Sequence, residues 1–239
     1  MDAVPSFRPL RRDTISAQVH AHLRQQIVRG RYLPRQRISE NELAAALGVS
    51  RTPVREALGK LQDERLIETV PQRGTIIAPI PVADVHANQF VREALECATI
   101  VRAAERATPA DARRLRSMLE SQREAREADD AFFAADEAMH AELMRIAGEP
   151  SVWRVVETAK LQLDRVRHLT VRSQIKRQSI LREHTAIVQR VIAHDPEGAV
   201  AAMRRHLRGI FASIEPILRE HPEFFVAATS DAAAIRTPA

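Results

Sequence analysis

The chain has few cysteines and glycines and no long apolar run, and each of these shortages excludes a class of protein. One cysteine, Cys97, among 239 residues excludes an internal disulfide framework and any CxxC metal or redox motif. The seven glycines form neither a GxGxxG nor a GxxxxGKS/T nucleotide loop. No apolar run approaches the roughly 18–20 residues that cross a bilayer, and the polar residues 1–12 are not a secretory signal. We therefore expect a cytoplasmic protein without a membrane partner.

The charge of the chain is unevenly distributed. Apolar residues make up 45% and charged residues 28%, which is typical of a folded globular protein. Residues 1–80 carry 13 basic and 8 acidic side chains, whereas residues 81–239 carry 23 of each, so the net charge of +5 lies in the first third. This distribution predicts a small basic domain with a polyanionic partner, followed by a larger neutral domain.

Three short helices and a hairpin are predicted at the start of the chain. Apolar residues recur every four positions from Ile15 to Ile27 and predict the first helix. A capping box at Ser39 to Glu42 opens the second helix, which ends at Gly48. Ser50 to Pro53 opens the third helix, and two β-rich runs around Gly74 predict the hairpin. This order is typical of a winged helix-turn-helix domain.

The rest of the chain has a helical pattern. The predicted fold class is mainly α, with a winged helix-turn-helix over residues 13–79 and an all-helical, six-helix domain over residues 80–226. The six helices are expected at about 83–107, 110–127, 130–147, 151–172, 177–194 and 196–220. Residues 1–12 are predicted to be a flexible N-terminus and residues 227–239 a disordered tail.

Four polar residues of the helical part are candidate metal ligands. Asp136 and His140 are four residues apart and share one helix face, while His184 and His206 lie among apolar residues of two other predicted helices. Burial of such groups without partners is costly, and one shared cation would satisfy all four. One carboxylate and three imidazoles suit zinc, nickel, manganese or iron alike. Taken singly, each histidine is more often an ordinary hydrogen-bonded core residue, so both interpretations stay open at this point.

Several segments resemble one family of bacterial transcription regulators. The run RISENELAAALGVSRTPVREALGKLQDERLIETVPQRGTIIA, residues 37–78, resembles the DNA-binding domain of the GntR family. The helical remainder resembles the FCD effector domain of that family at VREALE (91–96), FFAADEAMH (132–140), LREHTAIV (181–188) and MRRHL (203–207). Six predicted helices look more like the VanR-type branch than the seven-helix, acyl-CoA-binding FadR type.

The resemblance implies a set of DNA contacts on the third helix and the wing. The N-terminal end of this helix enters the major groove in a helix-turn-helix, where an arginine fork can bind guanine O6 and N7. Asn41 stands where the family usually has an arginine, so it keeps hydrogen-bonding ability without the charge. The complete set of predicted contacts is Arg37, Asn41, Ser50, Arg51, Thr52, Pro53, Arg55, Arg73 and Gly74.

The resemblance also implies a metal-dependent effector site. In the metal-binding branch of the FCD family the ligand positions correspond to Asp136, His140, His184 and His206. A small carboxylate effector can fill the remaining coordination positions of a divalent metal ion. Arg92 is the first candidate for a second contact to that carboxylate because a guanidinium binds it bidentately, and Arg102 and Arg165 are further candidates.

These expectations combine into one predicted function and three alternatives. The chain is predicted to be a regulator and not an enzyme: a repressor that binds a palindromic double-stranded DNA operator as a homodimer and is released by a small organic acid. A second possibility within the family is an acyl-CoA-responsive regulator without a metal. A metal-dependent hydrolase and a purely architectural DNA-binding protein are the alternatives from other classes.

Overall fold

A computed structural model describes residues 14–171 and 174–226 of the chain. Contacts divide it into two units, which are residues up to 83 together with residues from 220 onward, and residues 84–219. The predicted flexible N-terminus, 1–12, and the predicted disordered tail, 227–239, lie outside the described residues. In the part of the chain that is described, no helix is both long and apolar enough to span a membrane.

The first unit contains the three predicted helices, α1 (Ile15–Val28), α2 (Glu40–Leu47) and α3 (Arg51–Asp63). Helix α1 begins where the Thr14 side chain accepts a hydrogen bond from the Ala17 amide at 3.2 Å. Helix α2 ends at Gly48, whose φ of 66° lies in the left-handed region that glycine adopts without strain. The helices pack through their apolar faces, and the fully buried residues include Val19, Leu23, Leu43, Val54 and Leu61.

The predicted capping box at the start of α2 does not form. Ser39 occupies the N-cap position, but its side chain makes no capping hydrogen bond. The start of this helix is instead positioned from outside, because the Ile38 amide donates to the Thr75 carbonyl at 3.0 Å. The carboxylate of Glu40, in the first turn, accepts hydrogen bonds from α3.

The predicted hairpin is confirmed as the wing of the domain. Strands β1 (Ile67–Val70) and β2 (Gly74–Ile77) are antiparallel, with Ile67 opposite Ile77 and Val70 opposite Gly74. Arg37 forms a bridge with Ile76 on the other side of β2, so the segment before α2 extends the hairpin. Gly74 has a φ of 80°, which explains why a glycine follows the turn.

A second, short pairing brings the C-terminal segment back to the first unit. Strand β3 (Ile80–Pro81) pairs in parallel with β4 (Phe225–Val226). Phe225 is buried, and the Arg35 guanidinium donates to the Glu223 carbonyl at 3.1 Å. The sequence pattern predicted that all residues from 80 to 226 belong to the helical domain. Strands of two residues have no periodic signal, and their partners lie far apart in the chain, so this pairing had no local pattern to predict it.

We expect Phe225→Ala to destabilise the first unit. Phe225 is 6% exposed and Val226 is 43% exposed, so Val226→Ala on the same strand is a matched control. Loss of a buried phenylalanine costs about 2–3 kcal/mol in the free energy of unfolding, whereas the control changes it by less than about 1 kcal/mol. Urea unfolding followed by circular dichroism measures both, while the fluorescence of the single tryptophan, Trp153, reports the second unit separately. Equal effects of the two substitutions would contradict this docking.

The second unit is entirely helical in its described residues. Its helices are α4 (Val82–Arg106), α5 (Pro109–Glu124), α6 (Asp129–Ile146), α7 (Val152–Ala159), α8 (Leu161–Thr170), α9 (Gln174–Ile192), α10 (Pro196–Arg208) and α11 (Phe211–Glu220), with a short 3₁₀ turn at Ala125–Glu127. One apolar core joins α4, α5, α6, α9 and α10, and its buried members include Ile100, Leu115, Met139, Leu143, Ile187, Val191 and Met203. This core holds in place the polar groups described below.

Two of the six predicted helices are each divided in the structure. The predicted helix 151–172 breaks at Lys160, whose buried ammonium group forms ion pairs with Glu137 and Asp164. The predicted helix 196–220 breaks after α10 at Gly209. Apolar periodicity continues across both breaks, so it did not indicate them. The predicted class, mainly α with an N-terminal winged helix-turn-helix, is confirmed.

Candidate nucleic-acid interface and metal centre

The N-terminal end of α3 presents polar side chains to solvent. Ser50 is the N-cap residue, and Arg51, Thr52 and Arg55 are exposed, while Pro53 is half-buried. Val54, Ala57 and Leu61 on the opposite face of the helix are fully buried in the unit. The predicted reading residues therefore share the face that is free to enter a DNA groove.

The remaining predicted DNA contacts lie on α2 and at the wing. Asn41 is exposed in the first turn of α2, and Arg73 is exposed in the turn before β2. A Cβ atom on Gly74 would lie 3.8 Å from Arg37 Nη2, so Arg37 is beside the hairpin turn. Arg37, Arg73 and Gly74 thus form one exposed group at the wing.

The four predicted metal ligands come together inside the second unit. Asp136 and His140 project from α6, His184 from α9 and His206 from α10, and all four are buried. One potential ligand atom from each residue lies within 4.8 Å of the others. His184 Nε2 is 3.2 Å from His206 Nε2 and 3.5 Å from Asp136 Oδ1.

Each histidine of this cluster has an outer partner at Nδ1. His140 Nδ1 contacts the Glu96 carboxylate, His184 Nδ1 is 2.8 Å from Gln122 Oε1, and His206 Nδ1 is 2.8 Å from Glu183 Oε2. Because these oxygens accept hydrogen bonds, we assign the proton of each ring to Nδ1 and a lone pair to Nε2. Ligands in metal sites are commonly oriented in this way by a second layer of hydrogen bonds.

The electrostatics of the cluster favour ligands in their metal-binding protonation states. Burial alone would raise the pKa of Asp136, but the charge of Arg167 holds it well below its ordinary value. Burial, and then the neighbouring His206, place the pKa of His184 well below its ordinary value. The cluster therefore offers one carboxylate and, at His184, an unprotonated imidazole nitrogen.

Two features of this geometry fit a cation. Asp136 Oδ1 is buried and has no hydrogen-bond partner among the described residues, although Oδ2 accepts from Arg167. The lone pairs of His184 and His206 face each other at 3.2 Å, where two unprotonated nitrogens repel. A shared divalent ion would satisfy the carboxylate oxygen and remove this repulsion. The residues present therefore fit the metal site that the sequence pattern predicts.

The three predicted effector arginines occupy different environments. Arg92 is buried, forms an ion pair with Glu96 and places Nη2 3.3 Å from His140 Nε2, so it lies beside the cluster. Arg165 is buried on α8 and donates to Gln162 Oε1 at 2.9 Å, and burial lowers its pKa to about 10.

Arg102 does not join the cluster. Its guanidinium is half-exposed and paired with Glu149. It lies nearly three turns beyond Arg92 on α4, on a different face, and its role as an effector contact stays a prediction.

Four residues around the cluster were not found by sequence reasoning. Arg167 binds Asp136, and the outer partners of the histidines are Glu96, Gln122 and Glu183. For Glu96 the sequence held a signal, because it follows Arg92 by four residues. In the structure, burial raises the pKa of Glu96, but Arg92 and His140 lower it further, to about 2. Gln122 and Arg167 have no motif in the sequence that marks them.

Together, the winged helix-turn-helix and the separate helical unit define a DNA-binding transcriptional regulator. Residues 15–77 match the gntR family of bacterial regulatory proteins, and residues 89–209 match the FCD domain. The chain belongs to the GntR family, in its FCD subfamily.

Relatives and solved structures agree with this assignment. The chain is 37% identical over 217 residues to an HTH-type transcriptional regulator in an unstable DNA locus of Streptomyces ambofaciens, covering 91% of each chain. It is 34% identical over 214 residues to the HTH-type transcriptional repressor RspR of Escherichia coli K12, covering 88% of this chain and 93% of RspR.

The Escherichia coli protein McbR/YncC has the same fold, with a TM-score of 0.69 at 21% identity over 85% of this chain and 98% of that one. The family and these relatives are DNA-binding regulators and not enzymes, which removes the hydrolase alternative.

Proposed function

We propose that this chain is a metal-dependent, ligand-responsive repressor that a small carboxylate releases from its operator. The observation that carries this proposal is the buried cluster of Asp136, His140, His184 and His206, in which Asp136 Oδ1 has no hydrogen-bond partner among the described residues. The cluster lies in the unit that matches the FCD domain, apart from the DNA-binding unit. We therefore assign it to sensing.

Asp136, His140, His184 and His206 would hold the metal ion. When bound, a divalent cation supplies positive charge and open coordination positions for an anionic ligand. The donor set suits zinc, nickel, manganese or iron. The outer partners Glu96, Gln122 and Glu183 keep the three imidazole rings oriented toward the ion.

Two buried guanidinium groups support an acidic effector. Arg92 lies beside His140, and Arg167 binds the second oxygen of Asp136. Guanidinium groups bind carboxylates through paired hydrogen bonds, and both of these arginines are buried in contact with the cluster. We propose Arg92 as the second contact of the carboxylate and Arg167 as the group that positions Asp136.

The DNA-binding half of the proposal rests on α3 and the wing. We propose that Ser50, Arg51, Thr52, Pro53 and Arg55 enter the major groove, while Arg37, Arg73 and Gly74 contact DNA at the wing and Asn41 contacts it from α2. A homodimer would match the two-fold symmetry of a palindromic operator in the cytoplasm. The name of the relative RspR, a repressor, supports repression as the direction of control.

The first test of this proposal is a thermal-shift screen of small organic acids. Sugar acids, hydroxy acids, dicarboxylates and amino acids are each added to metal-loaded protein and to chelator-treated protein. A ligand at 100 times its Kd stabilises the folded state by about 2.7 kcal/mol, so we expect a clear rise in melting temperature with the cognate acid. We expect chelation to abolish this rise.

Other outcomes of the screen would redirect the proposal. A rise that survives chelation would separate the effector from the metal, which would then be structural. The absence of a shift with any acid, together with no effect of chelator, would contradict the metal site. Acyl-CoA added to the same chelated protein tests the metal-free alternative. A protein whose melting temperature changes with no ligand would fit the purely architectural alternative.

A further inference from the structure

The two arginines at the start of the reading helix share a single carboxylate. Glu40 Oε1 accepts from Arg51 Nε at 3.0 Å and from Arg55 Nη2 at 3.0 Å, and Oε2 accepts from Arg55 Nε at 3.2 Å. Arg51 and Arg55 are four residues apart on α3, where two positive charges would otherwise repel each other. The carboxylate on α2 therefore holds both arginines in one arrangement.

The hydrogen bonds to Glu40 leave part of each arginine for DNA. The side chains of Arg51 and Arg55 are 60% and 68% exposed, whereas that of Glu40 is 23% exposed. Within the described residues, both Nη groups of Arg51 and one of Arg55 make no hydrogen bond. These are the groups with which an arginine can donate to guanine O6 and N7. Fixing the side chains before DNA arrives reduces the conformational entropy that binding must remove.

The charge of Glu40 has a second consequence. A carboxylate at the reading surface repels DNA phosphates of every sequence equally, so it weakens binding to non-specific DNA. The hydrogen bonds of Arg51 and Arg55 lower the pKa of Glu40, so it remains ionised. The adjacent Asn41 brings no positive charge that would offset it.

We propose that Glu40 sets the specificity of DNA binding, by positioning Arg51 and Arg55 for bases and by opposing sequence-independent contact with phosphates. Glu40 is then a positioning residue that need not touch a base itself. The inference rests on the proposed reading role of α3. Its expected signature is tighter non-specific binding together with a lower ratio of specific to non-specific affinity, a combination that a loss of fold would not produce.

The test compares Glu40→Gln with Glu42→Gln in the full-length protein. Glu42 is exposed on the same helix and has no hydrogen bond or ion pair among the described residues, so its substitution removes the same charge alone. A duplex selected from a random library by the wild-type protein serves as the specific site, and a scrambled duplex of equal length as the non-specific one. Affinities for both duplexes are measured over a range of salt concentrations.

We expect Glu40→Gln to bind the scrambled duplex more tightly, with a salt dependence steeper by about one phosphate contact. Its ratio of specific to non-specific affinity should fall about tenfold, which is within the discrimination that one arginine–guanine contact provides. Glu42→Gln should keep the wild-type ratio. Equal ratios for the two variants would overturn the role of Glu40, whereas failure of the wild type to select any duplex would instead refute reading by α3.

A second variant separates positioning from charge and guards against misfolding. Glu40→Asp keeps the negative charge but shortens the side chain, so the arginines lose their hydrogen bonds while phosphate repulsion remains. We expect unchanged affinity for the scrambled duplex and weaker binding to the selected one. If Glu40→Gln fails to melt cooperatively, this variant decides the question, and a wild-type ratio for it would overturn the positioning role.

Discussion

We expect His184→Ala to abolish tight metal binding and the response to the effector, while operator binding remains. His184 is fully buried, and its Nε2 lies 3.2 Å from His206 Nε2 and 3.5 Å from Asp136 Oδ1, so alanine would remove one of the four proposed ligands. Metal content after dialysis measures the loss directly. The single tryptophan, Trp153, gives a titration signal because its ring centroid is 6.5 Å from that of His140. A mobility-shift assay with and without the cognate acid measures the regulatory response.

Two control variants show how large the expected loss of metal binding is. Gln122→Ala removes only the outer partner of His184 and should weaken metal binding about 10–100-fold, which is less than loss of the ligand. His221→Ala changes an exposed histidine outside the cluster and should leave the titration unchanged. A His184→Ala protein that keeps wild-type metal content and still answers to the acid would remove the metal from the proposed mechanism.

We expect Arg51→Ala to abolish specific operator binding and Lys60→Ala to have little effect. Both residues are exposed on α3, but Arg51 opens the helix and Lys60 lies in its last turn. Loss of a base-reading arginine costs about 1–3 kcal/mol at each half-site, and a two-fold operator contains two half-sites. Loss of Lys60 removes at most a phosphate contact, which changes the salt dependence by about one. Titration of the selected duplex with both variants is the measurement, and equal losses would contradict the orientation of α3.

Local chemistry in the sequence was sufficient to predict the three helices and the wing of the first unit. The four-residue periodicity from Ile15 to Ile27, the glycine that ends α2 and the turn before Gly74 act over a few residues. They predict three helices and a wing, and these are what the structure contains. The predicted capping box did not form, because Ser39 makes no capping hydrogen bond, and Glu40 in the first turn of α2 is engaged by Arg51 and Arg55 from the next helix.

Helix breaks inside the second unit were harder to predict. Lys160 interrupts a continuous apolar pattern, and its ammonium group is balanced by carboxylates on two helices. Whether a lysine at that position is exposed or buried depends on those neighbours, which have no fixed spacing in the sequence. The pairing of β3 with β4 was hard to predict for the same reason, because it joins residues near 80 to residues near 225.

The sequence by itself determined the class of the protein, its two-part organisation and the four polar residues that converge in the helical unit. It could do so because each helix carries its own periodicity, and a carboxylate or imidazole among apolar residues is informative wherever the helix packs. Only the tertiary structure decided which groups complete the cluster. Gln122 reaches His184 across 62 residues and Glu96 reaches His140 across 44, so these contacts depend on how the helices pack against one another. The same packing brings Arg167 into contact with Asp136 and leaves Arg102 exposed. Residues at different positions along a helix face different neighbours, so their surroundings depend on how the helix packs.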